Sequence, residues 1–267
     1  MLRVILNDTP IPSADAPGPA AERLQAAMLG ALGAHTDTRG RVHYGRLGAS
    51  EAFAAAERAA GRLGGVRLGD LAGRHERLAF WINVYNALVL HGIVRLGVRS
   101  SVRRVWNFFG RVSYRVGGLL FSLDDVEHGV LRDNRRRPWP PLRPFGGGDP
   151  RRALAVRPPD PRFHFAITCG AASCPPVGVY RAAEIDTQLD LAARNFVNQE
   201  IELAGERVAC SRIFKWYRAD FDADGGVGAF LLRHLDDGPA RRALAAGAVP
   251  CAAFRPYRWA LQHEPAD

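Results

Sequence analysis

Lysine is almost missing from this chain: Lys215 is the single lysine among 36 basic residues. The formal net charge is nevertheless +9. A nucleic-acid surface gathers its basic groups on one face or along one element. Here the arginines are scattered, and the densest cluster, Arg135-Arg136-Arg137, runs straight into Pro138-Trp139-Pro140-Pro141. With Ala, Gly and Pro also abundant, the pattern reads as a G+C-rich coding bias that writes Arg wherever a solvated charge is needed. Nucleic acid is not the expected partner. Long apolar runs are missing too. The longest, residues 78–94, is interrupted by Asn83, Asn86 and His91, side chains that a lipid-facing span rarely carries. The first twenty residues lack the apolar stretch of a signal peptide. As given, the chain is expected in the cytoplasm, unless a leader has been removed ahead of residue 1. Cysteine is sparse: Cys169, Cys174, Cys210 and Cys251 are too few for a disulfide scaffold in a chain of this length, although an even count permits two bridges.

What is present is a core. Hydrophobic residues make up 47% of 267, enough for one large domain. Residues 1–48 read as an N-terminal extension with one helix, at 20–32, and 49–267 as the globular domain. A second helix is expected at 49–63. A third, at 70–94, is apolar nearly all round in its body LAFWINVYNALVLHGIV, so it should be central and buried. Residues 112–121 alternate around Gly117-Gly118 as a β-hairpin. Ser122 then caps a short helix, LDDVEHGVLRD, with Asp125 where a capping box normally has Glu or Gln. Residues 135–161 hold much of the Pro and Gly and read as an irregular loop. FHFAIT, residues 163–168, reads as a buried strand that leads into the tight loop CGAASCPPVG. A helix at 182–200, a strand at 208–214, short helices at 228–234 and 239–246, and a terminal strand at 254–261 complete the chain. The order does not alternate regularly. The expected fold is therefore α+β: a single domain whose central buried helix packs on a mainly antiparallel sheet.

The best clues to function are polar groups where the pattern wants apolar ones. Asn83, Asn86 and His91 lie roughly on one side of the central helix. A buried Asn must be hydrogen-bonded or costs about 1–3 kcal/mol, so the two asparagines either clamp loop backbone or line a cleft. His91, near the helix end, reads as a surface or capping residue. In the short helix, Leu123, Val126, Val130 and Leu131 define an apolar face. Glu127 falls inside that face and His128 at its edge. A carboxylate there needs an ionic partner or acts as an acid, a base or the group that orients a histidine.

The third clue is FHFAITCGAASCPP. Cys169 stands at a strand end, followed by Gly170 and small residues, with Pro175 closing the loop. His164 alternates on the strand face opposite Phe163, Phe165 and Ile167. Strand ends followed by small-residue loops are common places for nucleophiles, because free amides there can hold a developing negative charge. Cys169 and Cys174 are open to four readings: small core residues, a local disulfide, metal ligands, or a nucleophile and its neighbour. The aromatic segment FKWYRADF is open to two: core, or a recognition groove with Arg212 and Arg218.

FWINVYNAL, SLDDVEHGVLR, DPRFHFAITCGAASCPPV and SRIFKWYRADF occur in this order. Together they resemble the domain of unknown function 547 family, from about residue 75 to 221, with PYRWAL near 257 a further element. The resemblance implies that Asn83, Tyr85, Asn86, Glu127, His128, Arg132, His164, Cys169, Cys174 and Pro175 are signature positions. It also places Ser211, Phe214, Trp216 and Phe221 in the last motif, with Arg212 where Lys is usual. A Cys, a His and a carboxylate or amide drawn from separate segments are similar to papain-like thiol hydrolases, in a chain order that would require a circular permutation. The expected function is a cysteine-dependent hydrolase or acyl-transferase acting on an amide or thioester. Cys169 or Cys174 would attack, His128 or His164 would serve as base, Glu127 would orient it, and Asn83, Asn86, Tyr85, Arg132 and Trp216 would bind substrate. No cofactor is expected. The alternatives are a non-catalytic interaction module and a Cys₂His₂ metal site from Cys169, Cys174, His128 and His164.

Overall fold

The computed structural model describes residues 3–9, 11–204 and 207–261. Its α-helices are α1 (Pro17–Ala34), α2 (Tyr44–Gly48), α3 (Glu51–Arg62), α4 (Arg74–Arg95), α5 (Phe108–Arg111), α6 (Ile185–Glu200), α7 (Ile213–Trp216), α8 (Gly226–His234) and α9 (Pro239–Ala245). Its strands are β1 (Val4–Ile5), β2 (Val112–Val116), β3 (Leu119–Ser122), β4 (Glu202–Ala204), β5 (Arg207–Cys210) and β6 (Ala253–Phe254). They form two small sheets, ordered β1-β2-β3 and β4-β5-β6. Each sheet has one parallel and one antiparallel pairing. The chain is a mixed helix-and-strand single domain.

Helix α4 is the axis of the fold. Every residue from Leu78 to Ile93 is buried, as its all-round apolar composition requires. By length and composition α4 could cross a bilayer, but 89% of its apolar window is buried inside this domain, as in a core helix. It packs against α1 and β2. The segment read as an N-terminal extension thus supplies Ala20, Leu24 and Met28 to the main core. A second core gathers Phe165, Phe196, Phe214, Phe221 and Phe230, and the Cys210–Cys251 disulfide lies beside it. His91 is not at the surface but fully buried, between the Tyr114 hydroxyl at 2.8 Å and Glu57 Oε1 at 3.0 Å.

The hairpin of β2 and β3 turns on Gly117 (φ +54°) and Gly118 (φ +79°), left-handed positions that suit glycine in a two-residue turn. After β3 the capping box does close with Asp in place of Glu. Asp125 N–H donates to Ser122 Oγ at 3.2 Å, and Ser122 N–H donates to Asp125 Oδ2 at 3.0 Å. The helix that follows, Asp125–Leu131, is a π-helix. Arg132 N–H reaches back five residues to Glu127 O, and Asn134 N–H to Gly129 O. The widened turn buries Glu127 and His128 together, the kind of local departure that marks functional helices.

Three expected strands come out differently. Residues 161–165 form a 3₁₀ helix, Pro161–Phe165, in place of a strand. Asp160 accepts the Arg162 N–H and Pro161 occupies the first turn, start signals that outweigh an ambiguous apolar run. The strand expected at 208–214 stops at Cys210, because Ser211 Oγ accepts Ile213 N–H and opens α7. The terminal strand pairs only at Ala253–Phe254. Pro256 then removes a donor, and the extended chain binds the Cys169–Cys174 loop instead.

Candidate active site

The Cys169–Cys174 loop is held from both sides. From α4, Asn86 Nδ2 donates to Ala166 O and Asn86 Oδ1 accepts Thr168 N–H, both at 2.9 Å. Asn83 clamps the backbone of Tyr180 in the same way, at 2.7 and 2.9 Å. From the C-terminal segment, Ala260 O accepts Ala172 N–H at 2.8 Å and Arg258 N–H donates to Ser173 Oγ at 2.9 Å. Gly170 is left-handed (φ +79°), and a Cβ there would stand 2.4 Å from the Ile93 side chain. Any side chain here would be strained and would have to displace Ile93.

This bracing delivers two sulfurs side by side. Cys169 Sγ and Cys174 Sγ are 3.0 Å apart, and the Tyr257 hydroxyl lies 3.2 Å from Cys174 Sγ and 3.5 Å from Cys169 Sγ. Cys169 N–H donates to Cys174 Sγ at 3.0 Å. The hydrogen bond from Cys169 leads the causes that pull the Cys174 thiol down to about 6, against burial, with Tyr257, the Cys169 amide and Thr168 adding to it. Cys169 is pushed well above the usual thiol range, by its bond to Cys174 and then by burial. The direction is that Cys174, which takes the Cys169 amide and the nearer Tyr257 hydroxyl, holds a thiolate more readily than Cys169.

Most amides of the loop are already engaged within the protein. Cys169 N–H serves Cys174 Sγ and Gly170 N–H serves Thr168 Oγ1. Ala172, Ser173 and Cys174 N–H serve the carbonyls of Ala260, Arg258 and Ala171. These five amides are committed.

The acid and imidazole of the π-helix meet the loop across a shared cleft of about 850 Å³, whose lining includes Tyr85, Glu127, His128, His164, Cys169 and Cys174. Glu127 accepts the Tyr217 hydroxyl at 2.7 Å and the Tyr85 hydroxyl at 3.0 Å. Burial pushes its carboxyl up, but His128, Tyr217, His164 and Arg132 outweigh it and the net direction is down. Tyr85 links the two halves of the site: after burial, the charges of Glu127, Tyr217 and Cys169 push its hydroxyl well up.

Each histidine has a fixed proton. Arg132 Nη1 donates to His128 Nδ1 at 3.0 Å. A guanidinium can only donate, so His128 is neutral and carries its proton on Nε2. Burial lowers its pKa, against Glu127 and Asp124. His164 Nε2 faces Asp220 Oδ2 at 2.9 Å. Burial raises the Asp220 carboxyl, but His164 and Arg132 hold it well below the ordinary carboxylate range. Asp220 is thus ionised, Nε2 of His164 donates, and Nδ1 is left without a partner among the described residues. Arg132 also grips Asp220, at 2.6 and 3.0 Å.

Of the residues singled out from sequence, Tyr85, Glu127, His128, His164, Cys169, Cys174, Pro175, Arg212 and Trp216 line the cleft. Asn83 and Asn86 stand behind it as backbone clamps, and Arg132 bridges His128 to Asp220. Neither thiol hydrogen-bonds a histidine among the described residues. The aromatic segment divides: Phe214 and Phe221 are core, while Trp216 and Tyr217 face the cleft. Among the described residues no group of three or more His, Cys, Asp or Glu side chains is placed to hold a metal ion. Two important residues were missed. Asp220 was detectable as the lone acid in SRIFKWYRADF. Tyr257 was marked only as part of the PYRWAL element, and nothing local in the sequence ties it to the sulfurs that the fold brings it to.

Fold and site together define a mixed α/β protein whose cleft joins a two-thiol loop to a buried Glu–His helix. Over residues 69–197 the chain matches the family described as protein of unknown function, DUF547. The resemblance carried by the motifs therefore holds from α4 through the hairpin, the π-helix and the thiol loop to α6. The match ends before SRIFKWYRADF. No curated protein and no solved structure matches the chain, and the analogy to papain-like hydrolases rests on residue types alone.

Proposed function

We propose that the cleft carries out thiol-dependent acyl transfer or hydrolysis on an amide or thioester, with Cys174 as the nucleophile. The observation that carries this reading is the set of groups around Cys174 Sγ: the Cys169 amide, which donates at 3.0 Å, and the Cys169 thiol at 3.0 Å and Tyr257 hydroxyl at 3.2 Å, both of which can donate to a thiolate. These donors stabilise a thiolate without a contacting base. For a thioester, Cys174 attacks the carbonyl carbon, the carbon–sulfur bond breaks and the leaving thiolate departs. Water then adds to the acyl carbon while His164 Nδ1 takes its proton. The acyl–Cys174 bond breaks, the carboxylic acid leaves, and the imidazolium protonates the departed thiolate. Asp220 holds the His164 tautomer that permits this. His128, which lines the same cleft, offers Nε2–H to the developing anion.

The test uses an acetyl thioester of a small alkyl thiol and intact-mass spectrometry with peptide mapping. An acetyl group should appear on Cys174, and should persist longer in His164→Ala than in the native protein. Acetylation confined to Cys169, or none faster than on a free thiol peptide, would overturn the assignment.

A further inference from the structure

We propose that Cys169 and Cys174 also form a reversible dithiol–disulfide couple that reduces a disulfide entering the cleft, with Cys174 attacking and Cys169 resolving. This activity uses the thiolate invoked above but needs no acyl substrate, so it stands independently of the acyl-transfer reading.

The geometry is that of a pair one step from bonding. The sulfurs are 3.0 Å apart, and a disulfide requires about 2.05 Å, so closure asks for a movement of about 1 Å. The intervening residues, Gly170, Ala171, Ala172 and Ser173, put no bulky side chain in the way. Tyr257 reaches both sulfurs and keeps them abreast. The other two cysteines, Cys210 and Cys251, are already joined to each other, so within this chain Cys169 and Cys174 have only one another. Both are partly exposed and line the cleft, where a second disulfide can approach. The two thiols also differ in the manner that exchange needs: one is held as the attacking thiolate, the other kept protonated until its turn.

The steps balance. The Cys174 thiolate attacks one sulfur of the incoming disulfide. That bond breaks, a mixed disulfide forms and one substrate thiolate leaves. This thiolate takes the Cys169 proton. Cys169 Sγ then attacks Cys174 Sγ, the Cys169–Cys174 bond forms, and the second substrate thiolate leaves and is protonated by solvent. Two electrons pass from the protein dithiol to the substrate.

Oxidised glutathione is the probe. The reduced full-length protein is mixed with it, quenched in acid, alkylated and digested with trypsin. Arg162 and Arg181 bound a single peptide that carries both thiols. In the native protein this peptide should lose two hydrogens and resist alkylation, with no lasting glutathione adduct. Cys169→Ser, which keeps a donor beside Cys174, should trap glutathione on Cys174, about tenfold faster than a free thiol peptide near pH 6. Cys174→Ser should react no faster than that peptide. A stable glutathione adduct on the native protein, or equal rates for the two variants, would overturn the proposal. Acetylation of Cys174 in Cys169→Ser without trapping of glutathione would sink the exchange activity while leaving the acyl-transfer reading intact.

Discussion

His164 Nε2 donates to Asp220 Oδ2 at 2.9 Å, so Nδ1 is the ring atom left to accept a proton. Asp220 also takes Arg132 in a two-point grip and Arg135 at 2.8 Å. Replacing Asp220 by Asn would leave a buried guanidinium without its counter-charge and would free the imidazole to change tautomer. Breaking one partner out of a buried ion pair costs about 3–5 kcal/mol. Urea denaturation of Asp220→Asn at neutral pH should read a loss of that size. The native carboxyl is held below its ordinary value, so its contribution is complete above about pH 4 and declines as pH falls further. The gap between native and variant should therefore narrow in acid. A gap unchanged at low pH would show that the ionised carboxylate is not its source.

How much of this was legible beforehand follows from which interactions are local. The central helix declared itself because an all-round apolar segment has only one place to go. The Gly117-Gly118 hairpin and the Ser122 cap were readable because both are settled within a few residues. Glu127 and His128 were legible as misplaced polarity, and the two sulfurs as chemistry in a loop. The 3₁₀ helix at Pro161–Phe165 was misread because a short apolar run suits strand and helix alike. The Asp160-Pro161 start signal, which decides the matter, precedes the apolar run itself. Asp220 and Tyr257 act across 56 and 83 residues, on His164 and Cys174 respectively. No periodicity or spacing rule spans such distances. The same holds for the Ala172 and Ser173 amides, since their acceptors at Ala260 and Arg258 come from the far end of the chain.

The pH dependence of alkylation separates the two thiols. With Cys174 pulled down to about 6, the rate of iodoacetamide labelling at Cys174 should rise through a midpoint near that value and be flat at neutral pH. A free thiol would still be rising there, towards about 8.5. Cys169 should label slowly throughout. Tyr257→Phe removes one donor to the thiolate. A hydrogen bond to a charged group contributes about 1.5–3 kcal/mol, so the midpoint should climb by at least about one unit. A midpoint unchanged in Tyr257→Phe would remove the hydroxyl from the account of the thiolate.

Asn86 connects the core helix to the loop. Asn86→Ala would leave Ala166 O and Thr168 N–H buried without partners, each costing about 1–3 kcal/mol. Denaturant titration should therefore read a loss of about 2–6 kcal/mol. The loop also positions the donors of Cys174, so in whatever fraction stays folded the labelling midpoint should move up. Asn86→Asp keeps the acceptor for Thr168 N–H and should hold the midpoint nearer its native value. An alanine variant of full stability, with an unmoved midpoint, would make the clamp ornamental.

A buried histidine outside the cleft, His91, gives a control. The Tyr114 hydroxyl lies 2.8 Å from His91 Nδ1, and His91 Nε2 lies 3.0 Å from Glu57, which also pairs with Arg95. The carboxylate can only accept, so Nε2 carries the proton and Nδ1 accepts from Tyr114. Burial keeps the ring neutral by lowering its pKa, against Glu57. The His91 hydrogen bond leads the causes that bring Glu57 down to about 2, with burial opposing and Arg95 assisting. A depressed acid stabilises the fold fully above its unfolded value, about 4.3 for Glu. That contribution is lost as pH falls through the folded value. Glu57→Gln preserves the acceptor and removes the charge. The native protein should therefore melt higher than the variant above about pH 5, and the difference should shrink steadily between about pH 4 and about pH 2. Melting curves recorded across that range would test it. A difference that held constant down to the lowest pH, or that grew, would mean the Glu57 charge contributes nothing to the packing of α3 against α4.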